Sequence, residues 1–185
     1  MRIVLTGFMG TGKSVVARQL AVRLKLQCVD LDQEIEARAG LRVAEIFDRE
    51  GETVFRALER DVLQQVCMRD GIVLALGGGA IADEVNFERL AQAGAILVRL
   101  EATPAEIVRR VRPTLASRPL LRGHPDLEAR VRELLAARAA IYARVPLVVW
   151  TEGLSPRQSA ARVASLVAKA AANAVRHEGL RGGGP

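Results

Sequence analysis

The run Gly7-Phe8-Met9-Gly10-Thr11-Gly12-Lys13-Ser14 fits G-x-x-x-x-G-K-[ST], a pattern whose chemistry is the handling of nucleotide phosphates. Its glycines let backbone N–H groups turn inward around phosphate oxygens, and the start of a following helix adds its dipole. Lys13 has the reach for the β- and γ-phosphates, and the Ser14 hydroxyl is a Mg²⁺ ligand. Of the 27 basic residues only Lys13, Lys25 and Lys169 are lysines, so a chain that uses Arg nearly everywhere puts one of its few Lys in this loop. A chance match anywhere in the chain is on the order of one in a thousand. The competing reading is a plain Gly-rich turn.

Other residues could carry chemistry beside it. Asp30 and Asp32, in Val29-Asp30-Leu31-Asp32, are two carboxylates that could hold Mg²⁺ or take a proton from an attacking hydroxyl. The bland alternative is a helix N-cap followed by a solvated acid. Gly77-Gly78-Gly79 is costly in conformational entropy and useful where a ligand approaches the backbone closely, although an ordinary tight turn also fits. Phe47 and Phe55 read as core residues or pocket walls. Arg56 and Glu59, three apart, read as a surface pair or as a buried fork for a carboxylate. Arg118-Pro119-Leu120-Leu121 lies in a Pro/Arg-rich stretch that could close as a lid and bring Arg118 to a transferring phosphoryl group. Arg138 is ambiguous by itself, and His124 and His177 read as bystanders.

Elements must position these groups. Arg2–Thr6 is a short apolar run that reads as a buried strand ending at Gly7. From Lys13 onward Val15, Val16, Leu20 and Leu24 recur at helical spacing. Strand, Gly-rich turn and helix are the context the phosphate motif requires. Further strands are expected at Gln27–Asp30, Ile72–Leu76, Ala95–Leu100 and Leu147–Trp150. Helices are expected at Asp32–Ala39, at Val43–Asp48 and Glu52–Arg69 with a break near Gly51, at Asp83–Gln92, and as one long helix over Asp126–Val145. Thr103-Pro104-Ala105-Glu106 and Ser155-Pro156-Arg157-Gln158 are capping boxes with Pro at the first helical position. The tail from Arg176 is expected to be disordered. Five strands alternating with helices imply an α/β fold: a three-layer α/β/α arrangement around a five-stranded parallel sheet, with ligands at the carboxyl ends of the strands.

Composition narrows the class. The chain has 185 residues, half of them apolar, which suits one domain with a real core. No apolar run approaches the roughly 18 residues needed to span a membrane, and the first apolar run is too short for a signal peptide. Cys28 and Cys67 have no metal-type spacing and read as buried free thiols in a reducing compartment, which implies the cytoplasm. A net charge of +6 could suit nucleic acid, but the Arg residues are scattered and the aromatics are one Trp, one Tyr and four Phe. Anionic small molecules account for the charge as well, so neither a nucleic-acid nor a membrane partner is expected.

Taken together, the segments GFMGTGKS, VDLDQEIE, EIFDREGETVFRALE, LALGGG, RPLL and RAAIY resemble the shikimate kinases in order and approximate spacing, over about residues 2–170. The phosphate loop alone indicates only the P-loop superfamily, whereas EIFDREGETVFRALE is the specific part. The resemblance implies a P-loop kinase fold like that of nucleoside monophosphate kinases. It implies one domain over 1–175, with a helical substrate-binding region at 31–60 and a lid at 112–125. The implied activity is ATP-dependent phosphorylation of the 3-hydroxyl of shikimate, a step of aromatic amino acid biosynthesis, with Mg²⁺; a monomer is expected because no exposed apolar seam demands self-association.

The resemblance also implies roles. Gly10, Thr11, Gly12, Lys13, Ser14 and Val15 would cradle ATP, with Ser14 on Mg²⁺ and Asp30 holding the ion through water. Asp32 would bind the reacting hydroxyl and serve as its base. Arg56 and Arg138 would take the shikimate carboxylate, Gly77, Gly78 and Gly79 its hydroxyls, Phe47 and Phe55 would wall the pocket, and Glu59 would orient Arg56. Arg118 would sit on the phosphates, and Arg110 and the Pro156 loop against adenine. The family often has a polar residue where this chain has Leu154, so a side-chain contact to the nucleotide there is replaced at most by backbone contacts.

Three rivals stand beside this reading. A gluconate or nucleoside monophosphate kinase would lack the FDREGETVFR segment. A GTP-dependent switch has D-x-x-G in Asp48–Gly51, but neither Asn86 nor Asn173 is followed by the Lys of a guanine reader. A nucleic-acid binder would cluster its charge.

Overall fold

The computed structural model of the chain describes residues 1–181, with side chains up to Asn173. Five parallel strands form one sheet in the order β2-β3-β1-β4-β5, from β1 (Arg2–Thr6), β2 (Gln27–Asp30), β3 (Ile72–Ala75), β4 (Ile96–Glu101) and β5 (Leu147–Trp150). The central strand β1 pairs with β3 at Arg2↔Ile72 and with β4 at Ile3↔Ile96. Every side chain of β3 is buried, as a strand covered on both faces requires. Helices α1 (Lys13–Leu24) and α8 (Pro156–Arg181) cover one face through Val16, Leu20 and Val163. On the other face lie α2 (Leu31–Ala39), α3 (Val43–Val66), α4 (Glu84–Gln92) and the short α7 (Ala139–Ala143), packed through Ile35, Leu63, Leu90 and Tyr142. A third cluster joins Phe8 to Ile107 and Val111 of α5 (Pro104–Val111), Val131 of α6 (Leu127–Ala137) and Leu121.

Local rules explain several boundaries. Gly51 interrupts α3 with φ 82 and ψ 171, the expected break between two helical halves. The box at Ser155 forms in full, Ser155 N donating to Gln158 Oε1 at 2.8 Å and Gln158 N to Ser155 Oγ at 3.2 Å. The box at Thr103 forms by half. Glu106 N donates to Thr103 Oγ1 at 3.3 Å, but the Glu106 carboxylate accepts from Arg109 and Arg110 instead. Those bonds, Arg109 first, hold the Glu106 carboxyl down at about 2.

Three expectations are corrected. The single helix over Asp126–Val145 is two, because Arg138 leaves helical geometry at φ −105 and ψ 1. Nothing in the surrounding Ala-rich sequence signals this, since helix propensity there is high. Tertiary contacts of the Arg138 side chain prevail. The last helix continues through Arg176 to Arg181, where a disordered tail was expected, and residues 182–185 lie outside the described residues. The two cysteines are free but not buried: Cys28 is exposed on the edge strand β2 and Cys67 is half-buried.

Candidate active site

The phosphate motif is built as its spacing requires. Gly7 leaves β1 with φ 131, and a Cβ there would stand 2.2 Å from Leu100 O, so no larger residue fits. Gly12 caps α1 at φ 94 with no side chain closing the first turn. The first N–H groups of α1 are therefore left without side-chain partners beside a recess lined by Gly10, Gly12, Lys13, Ser14 and Val15. Thr11 braces the loop from inside, its buried Oγ1 donating to Phe8 O at 2.7 Å.

Lys13 Nζ donates to Gly7 O at 2.9 Å and to Phe8 O at 3.0 Å, and the residue is only 8% exposed. Burial brings its pKa from 10.5 to about 8, with Arg118 acting in the same direction and Asp32 against it. The native state therefore binds fewer protons than the unfolded chain between about 8 and 10.5. The stability that Lys13 contributes is full above the unfolded value and is lost as pH falls through the folded one. An anion in the recess reverses this. Binding of ATP near pH 8 is expected to take up roughly half a proton through Lys13. Calorimetric titration in buffers of different ionisation enthalpy measures it, and a heat independent of buffer would reject it.

Asp30 and Asp32 divide their duties. Asp30 caps α2, its Oδ1 accepting from Asp32 N at 3.1 Å, so the bland reading holds for part of that carboxylate. Asp32 faces the phosphate recess and the cavity beside it. Burial, and then the Asp30 charge, push its carboxyl above the usual range, while Lys13 opposes them.

That second cavity is walled by Phe47 and Phe55, whose ring centroids lie 4.7 Å apart. Arg56 and Glu59 are not a surface pair. Glu59 is fully buried, and its Oε2 accepts from Arg56 Nη1 at 2.7 Å. Burial raises the Glu59 carboxyl, against the pull of Arg56. The other oxygen, Oε1, has no partner among the described residues.

The glycine triplet has a different cause from the one its composition suggests. None of the three has positive φ. A Cβ on Gly77 would come within 2.7 Å of Asp32 Oδ1 and 2.9 Å of Glu59 Oε1, and one on Gly79 within 2.8 Å of Arg56 Nη2. The missing side chains make room for the protein's own carboxylates and guanidinium. Arg138 reaches the triplet from the opposite side, Nη1 donating to Gly78 O at 2.6 Å, with its guanidinium carbon 5.3 Å from the Phe8 ring. It borders an adjoining recess together with Arg56 and Gly79 rather than the Phe47–Phe55 cavity itself.

Arg118 is half-buried and borders both the cavity and the phosphate recess, not a solvated loop. The loop that carries it is tied to α3 by Arg122, which donates from Nη1 to Asp48 Oδ2 at 3.2 Å and from Nη2 to the other oxygen. Both groups are about half exposed, so the pair is a weak tether. Arg122→Ala is expected to change the Michaelis constants for ATP and acceptor by less than about fivefold, read from initial rates. A larger loss would make the pair part of the site.

A third recess lies beyond the phosphate loop, bordered by Arg110, Leu154 and Pro156. Arg110 is fixed there by Glu106 at 2.6 Å and by Thr151, to whose Oγ1 it donates at 2.9 Å. Sequence reasoning missed Thr151, Met9, Val43 and Glu52. Only Glu52 had a readable signal, its spacing of four from Arg56, which it meets at 3.0 Å. No helix among the described residues is long and apolar enough to cross a membrane.

The family model for shikimate kinase matches residues 9–168. A shikimate kinase of Thermus thermophilus is 41% identical over 151 residues, covering 82% of this chain and 81% of that one. One of Halorhodospira halophila is 42% identical over 163 residues, covering 88% and 90%. Among solved structures, shikimate kinase from Acinetobacter baumannii in complex with shikimate superposes with a TM-score of 0.86 at 36% identity, covering 91% of this chain and 93% of that one. The fold is thus the P-loop kinase fold expected of the sequence, and the chain belongs to the shikimate kinase family.

Proposed function

We propose that the chain transfers the γ-phosphoryl group of ATP to the 3-hydroxyl of shikimate, giving ADP and shikimate 3-phosphate. One observation carries the mechanism: Asp32 and Arg118 border both the phosphate recess and the Phe47–Phe55 cavity, so they stand where a phosphoryl group would cross from one to the other. ATP takes the recess of Gly10, Thr11, Gly12, Lys13, Ser14 and Val15, with its base toward Arg110, Leu154 and Pro156. Shikimate takes the cavity, with its hydroxyls against Gly77, Gly78 and Gly79 and its carboxylate on Arg56, which also borders the adjoining recess from which Arg138 reaches it. Glu59 holds Arg56 in place.

Asp32 accepts the proton of the attacking hydroxyl, a task its raised pKa suits. Lys13 leaves the loop carbonyls for the β- and γ-phosphates, and Arg118 meets the equatorial oxygens of the transferring group. One hydroxyl and one carboxylate beside phosphate oxygens suit Mg²⁺, which keeps much of its water. Ser14 would hold it directly and Asp30 through water, and its charge would offset that of the phosphates.

On this reading residues 1–175 are one domain with a substrate-binding region at 31–60 and a lid at 112–125, and the proposal takes the chain to act as a monomer in the cytoplasm. An assay of ADP release with shikimate, quinate, gluconate and nucleoside monophosphates tests the reading. Turnover is expected with shikimate, and faster turnover with any other acceptor would overturn it.

A further inference from the structure

One cavity belongs to none of the recesses above. It lies behind the phosphate loop, between the carboxyl end of β4 and helices α5 and α7, with about 590 Å³ of unfilled space, part of it open to solvent. The cavity proper, about 240 Å³, is smaller than a drug-sized site and has room for a single-ring ligand. Its walls are apolar and aromatic: Phe8, Leu100, Ile107, Tyr142 and Trp150. At its polar end stand Arg99 and the carboxylate of Glu101, which forms an ion pair with it.

The side chain of Arg99 is only 16% exposed, yet its buried Nε has no hydrogen-bond partner among the described residues. Glu101 Oε1 lies 2.9 Å from that nitrogen but out of line for a hydrogen bond. Thr6 pairs with Arg99 in the β1–β4 register, and its buried Oγ1 is likewise without a partner. A buried donor left unmet, such as Arg99 Nε, is costly in a folded chain unless something supplies an acceptor. A guanidinium with free donors matches a planar carboxylate, and the aromatic walls match a ring.

We propose that this cavity binds a small aromatic monocarboxylate, its carboxylate on Arg99 and its ring among Phe8, Tyr142 and Trp150. Such a ligand would touch the phosphate loop from behind. Gly7, Phe8 and Thr11 border the cavity, and the carbonyls of Gly7 and Phe8 are the groups that hold Lys13. Occupancy therefore couples to nucleotide binding, with each ligand changing the other's affinity by the same factor.

The test uses Trp150, the only tryptophan of the chain, as reporter. Titration with phenylacetate should give a saturable fluorescence change, and phenylacetamide should bind at least tenfold more weakly. Arg99→Met keeps the apolar stem and should lose at least tenfold in phenylacetate affinity, with its Michaelis constant for shikimate unchanged. Saturating shikimate should not displace phenylacetate. The proposal is overturned by the absence of a saturable change, as would follow if ordered water alone satisfied Arg99 and Thr6. Equal binding of acid and amide, or displacement by shikimate, would overturn it as well. Should Arg99→Met fail to fold, the acid–amide comparison on the native chain decides alone.

Discussion

Asp32→Asn is expected to turn over shikimate at least about a hundredfold more slowly than the native chain, while binding ATP as well and melting at a higher temperature. The loss follows because an amide cannot accept the hydroxyl proton. The gain in stability follows from the direction of the Asp32 shift. Its folded pKa is raised, by burial first and by Asp30 second. A raised carboxyl contributes stability that is full below its unfolded pKa and is lost as pH rises through the folded one. As pH rises through the folded value the native chain takes on a buried charge that asparagine does not have, so the melting temperature of Asp32→Asn is expected to exceed that of the native chain by a margin that widens with pH. The same shift sets a limb in the pH profile. Activity of the native chain should fall on the acid side above the usual carboxylate range of about 4, and this limb should vanish from the residual rate of Asp32→Asn. Near-normal turnover would remove Asp32 from the mechanism.

Arg56→Ala is expected to raise the Michaelis constant for shikimate about tenfold to a hundredfold and leave that for ATP within about twofold. The variant has a second effect, which must be separated from the first. Glu59 bears it, because that residue is entirely buried and Arg56 is its only hydrogen-bond donor among the described residues. Removing one member of a buried pair costs about 3–5 kcal/mol. The double variant Arg56→Ala/Glu59→Gln should recover much of that stability, since no charge remains buried, but none of the affinity for shikimate. Chemical denaturation and initial rates on the two variants distinguish the roles. An unchanged shikimate constant in a folded Arg56→Ala would sink the carboxylate assignment.

Much of this was legible in the sequence because it was local. A glycine-rich turn between an apolar run and a 3.6-residue period is written in consecutive residues, and so are the break at Gly51 and the Ser155 cap. The break at Arg138 was not, because it arises from contacts with Gly78 and Phe8, far away along the chain. The glycine triplet was legible as a close approach but not as an approach of Asp32, Glu59 and Arg56. The second carboxylate on Arg56, Glu52, is legible at helical spacing four residues before it. The exposure of Cys28 depended on β2 being an edge strand, which only the sheet order decides.

The sheet order has one more consequence. Every residue that the proposal assigns to the acceptor except Arg138 is carried by chain that leaves β2 or β3, on one side of the central strand, while Arg110, Leu154, Pro156 and the segment 112–125, the proposed lid, belong to chain that leaves β4 or β5, on the other. The seam between them runs along β1, where the phosphate loop begins. Residues 31–79 thus form a nearly self-contained cassette. Transplanting that cassette as a block, with Arg138 and the lid adjusted to match, is the economical route to a kinase of this architecture with a new acceptor, because the machinery that presents the phosphate would not have to be rebuilt.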